Sequence, residues 1–163
     1  MAATLDQIAG FFGNRNITFR RDDARGWLLV PFQYEPLSPL IVAVALEEDG
    51  RFLKIFAPRL MQYGDGPHKL ALMQTLLHTS WESKMLQWEY DPIDGEVRAM
   101  VEFPIEDAEL TEAQFFRAFD GLSRLAMLFY PRLKSVIETG SDPGRAEAVP
   151  ESTLPPGSPP DAL

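Results

Sequence analysis

Two runs of alternating side chains, joined by a turn dipeptide, restrict this chain more than any other feature. Leu86, Trp88 and Tyr90 point one way while Gln87 and Glu89 point the other. After Asp94-Gly95, Val97, Ala99, Val101 and Phe103 alternate against Arg98 and Glu102. A period of two places one apolar set on a buried sheet face, and Asp-Gly accepts the positive φ angles of a tight reversal. Residues 85–103 are therefore an antiparallel hairpin with one face that needs cover.

The other segments supply that cover and more strands. Thr4 and Gln7 have capping-box spacing ahead of Ile8, Phe11 and Phe12, with Gly13 to close a first helix. Residues 27–32, approached from about residue 18, read as a strand whose Pro31 suggests an edge or a bulge. Residues 40–46 are aliphatic throughout, as a central strand buried on both faces would be. Glu48-Asp49-Gly50-Arg51 turns the chain into a third strand over 51–57. Gly64-Asp65-Gly66-Pro67 opens a second helix, on which Leu70, Met73, Leu77 and Trp81 recur at helical spacing. Thr111 and Gln114 cap the longest helix, striped by Phe115, Phe119, Leu122, Ala126 and Phe129. Pro131 should kink that helix or begin a new one. The order is α-βββ-α-ββ-α, an α+β fold in which an antiparallel five-stranded sheet carries its helices on one face.

All of this fits one domain over residues 1–139. From 140 to 163 the composition changes to Pro, Gly, Ser and acidic residues with almost no large apolar side chains. Such a stretch buries too little surface to offset its ordering entropy and reads as a disordered Pro-rich tail.

Several of these segments together resemble the YbjN family of bacterial sensory-transduction-regulator-like proteins. That family is similar in fold to class I type III secretion chaperones. The residues that carry the resemblance are Leu86-Gln87-Trp88-Glu89-Tyr90-Asp91, Asp94-Gly95-Glu96-Val97 and Val101-Glu102-Phe103-Pro104. They continue in the helix opened by Leu110-Thr111, with Phe115 and Phe116 inside it, and in Tyr130-Pro131-Arg132-Leu133. The resemblance spans most of residues 1–139 and rests on a turn, a cap and a stop, which speak to fold. It implies a small cytoplasmic homodimer that binds or regulates other proteins, and it brings no catalytic residues.

The inventory of reactive side chains points the same way. With no cysteine, the chain has no disulfide, thiolate zinc site or cysteine nucleophile. His68 and His78 stand ten residues apart on one helix, about 15 Å of rise, too far to share a metal. Asp91, Asp94 and Glu96 lack the ligand spacing of a calcium loop, and hairpin duty accounts for Asp94-Gly95. The glycines at 64 and 66 have no βαβ context or Gly-Lys-Ser/Thr sequence, so a loop entering a helix is the simpler account. Ser38, Ser80, Ser83 and Ser123 sit in no nucleophile elbow. The expectation is no enzyme, no cofactor and no metal. A net charge of −9 argues against nucleic acid, which needs clustered Lys and Arg. The longest apolar run, 40–46, is too short for a bilayer, and no signal-peptide pattern opens the chain, so a cytoplasmic protein is expected.

What remains is surface. The second helix is apolar around more of its circumference than one sheet contact requires, since Leu72 and Leu76 lie at other angles from the Leu70 stripe. One account is a helix buried all round. The other is a homodimer or protein-partner surface made of Leu70, Met73, Leu77 and Trp81, extended by Met61 and Tyr63. A second functional reading is a ligand-sensing regulatory domain with an apolar pocket on the sheet, lined by Trp27, Phe32, Phe52, Phe56 and Trp88.

Overall fold

A computed structural model describes residues 2–35, 37, 39–106 and 108–145. The Thr4 hydroxyl accepts the Gln7 amide at 3.1 Å and starts α1, Leu5–Asn14, whose Ile8 and Phe12 are fully buried. Four strands follow: β1 Arg20–Asp22, β2 Trp27–Phe32, β3 Leu40–Glu47 and β4 Phe52–Gln62. Then come α2, Lys69–Glu82, the hairpin β5 Gln87–Tyr90 and β6 Glu96–Pro104, and α3, Glu112–Thr139. The sheet is antiparallel throughout in the order β1-β2-β3-β4-β6-β5.

The expected architecture is present with one strand more than expected. Residues 20–22, taken from sequence as the approach to the first strand, form a strand of their own. The Asp22 carboxylate accepts the Arg25 amide and turns the chain, pairing Arg20 with Leu29 and Asp22 with Trp27. Because β1 pairs no further than Leu29, Pro31 faces no donor-demanding neighbour on that side, while across the strand it lies opposite Ile41. The strand expected over 51–57 runs on to Gln62, through a bulge between Ala57 and Met61 where Arg59 takes φ 50°. In the hairpin, Gly95 has φ 77° and sits against the Tyr63 backbone, where a Cβ would meet the Tyr63 carbonyl carbon at 2.6 Å. Only glycine fits there.

One face of the sheet holds the main core. Leu28, Val30 and Phe32 of β2, Val42 and Val44 of β3, Leu53 and Ile55 of β4, and Val97, Ala99 and Val101 of β6 pack under the three helices. Phe12 of α1 meets the rings of Phe115, Phe116 and Phe119 of α3 within 5.1–6.2 Å. The opposite face carries a smaller buried set, Leu29, Ala43, Ala45, Phe56 and Met100, with no helix over it among the described residues.

Pro131 does not divide α3, which runs through it as one helix of 28 residues with the expected Thr111–Gln114 capping box. Pro131 has no N–H to give the carbonyl four residues earlier, on Met127. That oxygen instead accepts the buried hydroxyl of Tyr34 at 2.7 Å. Burial, then the neighbouring Tyr130, pushes the Tyr34 phenol above its usual range, which keeps it a protonated donor. Tyr34→Phe is expected to cost about 1–3 kcal/mol in urea denaturation by orphaning that carbonyl. A loss below a few tenths would assign the continuity of α3 to something else.

The ordered chain continues past the boundary drawn at residue 139. Gly140 caps α3 at φ 75°, and its approach to His68 leaves 2.7 Å between that ring and a hypothetical Cβ. Asp142 then returns to Arg132 of α3. The rest of the expected tail, residues 146–163, lies outside the described residues.

Candidate functional site

The second helix decides between the two accounts of its apolar excess. Leu72, Thr75, Leu76 and Thr79 are its buried residues, while Leu70, Leu77 and Trp81 are 71%, 73% and 86% exposed. The stripe read from sequence is therefore the outward one. Met73 is half-buried at its margin. No Lys, Arg, Asp or Glu interrupts the helix between Lys69 and Glu82, so its solvent face lacks the charges that ordinarily mark one.

The inward face holds leucines and threonines together. Two of its four buried side chains are threonines, which return their hydroxyls to the helix: Thr75 Oγ1 donates to the Ala71 carbonyl at 2.9 Å and Thr79 Oγ1 to the Leu76 carbonyl at 3.0 Å. Thr79 Oγ1 also accepts the indole N–H of Trp88 at 2.9 Å, which ties α2 to the β5 edge of the sheet. Both ends of the helix are fastened to α3. At the start, His68 Nδ1 donates to the Ile137 carbonyl at 3.0 Å. At the finish, Glu82 pairs with Arg132 Nη1 at 2.9 Å. The same guanidinium grips both oxygens of Asp142 at 2.7 and 2.8 Å. That bidentate contact is the main force holding the Asp142 carboxyl down to about 2. The helix that presents the apolar face is thus tied to α3 at both ends.

The other two residues of the expected surface are placed differently. Met61, 8% exposed, belongs to the core at the end of β4. Tyr63 is half-buried, and its hydroxyl accepts the His68 amide at 3.1 Å, so it supports the start of α2 without joining the outer stripe. Leu70, Leu77 and Trp81 are the residues the fold sets on its surface together.

The three carboxylates of the hairpin weighed as chemistry have structural partners. Asp91 accepts the Ile93 amide and Asp94 the Glu96 amide within the hairpin loop. Glu96 Oε1 accepts the Arg59 amide at 2.8 Å, steadying the β4 bulge. Among the described residues, no three His, Asp or Glu side chains gather closely enough to hold a metal ion. No helix there is long and apolar enough to cross a membrane.

The aromatic set proposed for a sheet pocket is divided between the two faces. Phe32 meets Phe119, and Trp88 meets Phe129, in the covered core. Trp27 and Phe56 stand edge to face at 5.0 Å on the uncovered side, and Phe52 shares that side by its alternation with Phe56. Sequence reasoning passed over the arginines that surround Trp27 and Phe56. Their positions, 20, 25, 59 and 98, form no pattern along the chain.

No protein-family model matches the chain, and no curated protein matches it in sequence. Solved structures match it in fold. One is YbjN from E. coli, named as a candidate transcription regulator: TM-score 0.60, 12% identity, over 83% of this chain and 93% of that one. Another is a chain of the HopA1–SchA chaperone–effector complex: TM-score 0.51, 16% identity, over 72% of this chain and 84% of that one. The fold of this chain is therefore YbjN-like and type III secretion chaperone-like, as the hairpin and cap residues implied.

Proposed function

We propose that this chain is a non-enzymatic protein-binding module, chaperone-like or regulatory, that works in the cytoplasm as a homodimer. The observation that carries the reading is the exposure of Leu70, Leu77 and Trp81 on α2, whose inner side already buries Leu72 and Leu76. An apolar stripe on a helix with no charged residue between its ends exposes surface whose burial is worth about 25 cal/mol per Å², and association removes that exposure. A second copy fits the stripe. Leu70 and Trp81 lie near opposite ends of the helix with Leu77 between them, so antiparallel packing about a two-fold axis sets each Leu70 beside the other copy's Trp81. The neighbours in fold, one of them from a chaperone–effector complex, support a protein partner.

Light scattering at micromolar concentration tests the reading. The expected mass is twice the 18.4 kDa of one chain. Leu77→Glu should convert it to monomer with unchanged helix content, because two buried carboxylates at a two-fold axis oppose association. A native chain that stays monomeric at tens of micromolar, or a Leu77→Glu chain that stays dimeric, overturns it.

A further inference from the structure

The uncovered face of the sheet carries a second feature, unrelated to α2. Its cross-strand rows are fixed by register. Leu29, Ala43, Phe56 and Met100 form one row, and Trp27, Ala45, Lys54 and Glu102 the next. The two alanines of β3 leave a trough between the larger side chains, and Trp27 leans across it to meet Phe56. At the end of this trough where β4 bulges, a groove of about 590 Å³ opens. Trp27, Leu29, Ile41 and Phe56 contribute its apolar wall.

Four arginines line the same groove: Arg20 of β1, Arg25 of the first turn, Arg59 of the bulge and Arg98 of β6. They converge from four separate segments in a chain whose net charge is −9. Two carboxylates accompany them, and both are engaged locally. Asp22 pairs with Arg25 at 2.8 Å, and Glu96 accepts the Arg59 amide. Arg98 pairs with Glu89, outside the groove. The guanidinium groups of Arg20 and Arg59 have no ion pair among the described residues. Arg59 also holds a positive φ of 50°, a conformation unfavourable for a side chain with a Cβ. Two of the four already lie against the aromatic rings, Arg25 at 5.5 Å from Trp27 and Arg98 at 6.0 Å from Phe56.

We infer that this groove binds a small anionic molecule with a planar apolar body. The arginines grip its carboxylate or phosphate group, and the Trp27–Phe56 floor takes the rest. The volume lies within the range of small-molecule sites, roughly 300–1,000 Å³. Guanidinium forks match carboxylate and phosphate oxygens two at a time. The surrounding negative charge of the chain repels a polyanion such as nucleic acid, so the cationic lining serves a compact ligand.

The test uses 8-anilinonaphthalene-1-sulfonate, an aromatic anion whose fluorescence rises on binding, with the full chain. Saturable binding is expected, weakened by added salt. Arg20→Glu/Arg25→Glu should weaken it about tenfold or more, since each lost contact is a charge-assisted hydrogen bond. Arg59→Gly should weaken it similarly while relieving the strained φ, so a loss of binding there is not a loss of fold. Trp81→Ser, on the other side of the molecule, should change nothing. Displacement by 1-naphthoate or by 1-naphthyl phosphate then shows which anion the arginines prefer. Three results overturn the inference: no saturable binding at millimolar dye, unchanged affinity in the folded arginine variants, or a loss in Trp81→Ser as large as theirs. These outcomes are independent of whether α2 dimerises.

Discussion

Phe12→Ala is expected to destabilise the chain by about 3–5 kcal/mol. Phe12 is fully buried where α1, α3 and the sheet converge, and its ring lies within 5.1–6.2 Å of those of Phe19, Phe115, Phe116 and Phe119. Truncation removes the transfer energy of the ring and also leaves a cavity that four other rings cannot fill without leaving their rotamers. The ten-residue α1 is too short to persist alone. Its other ties include Gln7 Nε2 donating to the Leu110 carbonyl at 3.1 Å, Asn14 Nδ2 donating to Glu112 at 2.8 Å, the Asp6–Arg21 ion pair and, just past its end, Arg15 pairing with Asp120 at 3.0 Å. Urea denaturation followed by circular dichroism measures the change. Phe11→Ala, at a half-buried position on the same helix, should cost clearly less. Equal losses at the two positions would show that α1 is held by its whole face and that Phe12 is no special anchor.

Arg132→Ala should cost about 3 kcal/mol, because it removes the shared cation and leaves two carboxylates facing each other. The Arg132 side chain is 3% exposed, and it joins the end of α2, the middle of α3 and the segment after α3 through Glu82 and Asp142. Arg132→Met keeps most of the packing and should lose less than Arg132→Ala. The contact also has a pH signature. Asp142 is held down to about 2 from an ordinary 3.8, first by the hydrogen bonds from Arg132 and against the opposing effect of burial. A carboxyl whose folded value is depressed contributes fully above its unfolded value, and that contribution is lost as pH falls through the folded one. The native chain should therefore lose stability from this site between about pH 4 and pH 2, by less than the shift alone implies because Asp142 is partly exposed and water screens the pair. Asp142→Asn should lack that slope while being less stable at neutral pH. Parallel pH profiles for the two chains would assign the acid sensitivity elsewhere.

The hairpin, the two helix caps and the element order were legible because each is local. Alternation at Leu86, Trp88 and Tyr90 depends only on the strand period. The Thr111–Gln114 cap depends only on residues three apart. The strand Arg20–Asp22 escaped notice because it is three residues long, has no buried apolar side chain and exists only against β2. Pro131 gave a correct physical warning, a carbonyl without its donor, but the remedy lies 93 residues away in Tyr34. No local rule could supply it.

The candidate surface shows the same division. Sequence spacing grouped Leu70, Met73, Leu77 and Trp81 on one side of a helix, and the structure keeps Leu70, Leu77 and Trp81 together there. Spacing could not say whether that side faced the sheet or the solvent, because both sides of α2 carry leucines. Trp88 and the satisfied hydroxyls of Thr75 and Thr79 settled the choice. By itself, then, the sequence determined the periods, the turns and the caps, since these follow from neighbours within a few residues. Tertiary structure alone decided which face of α2 is open, how α3 runs through Pro131, and that Arg20, Arg25, Arg59 and Arg98 share one groove. Those are consequences of strand register and packing between distant segments, which sum over the whole chain.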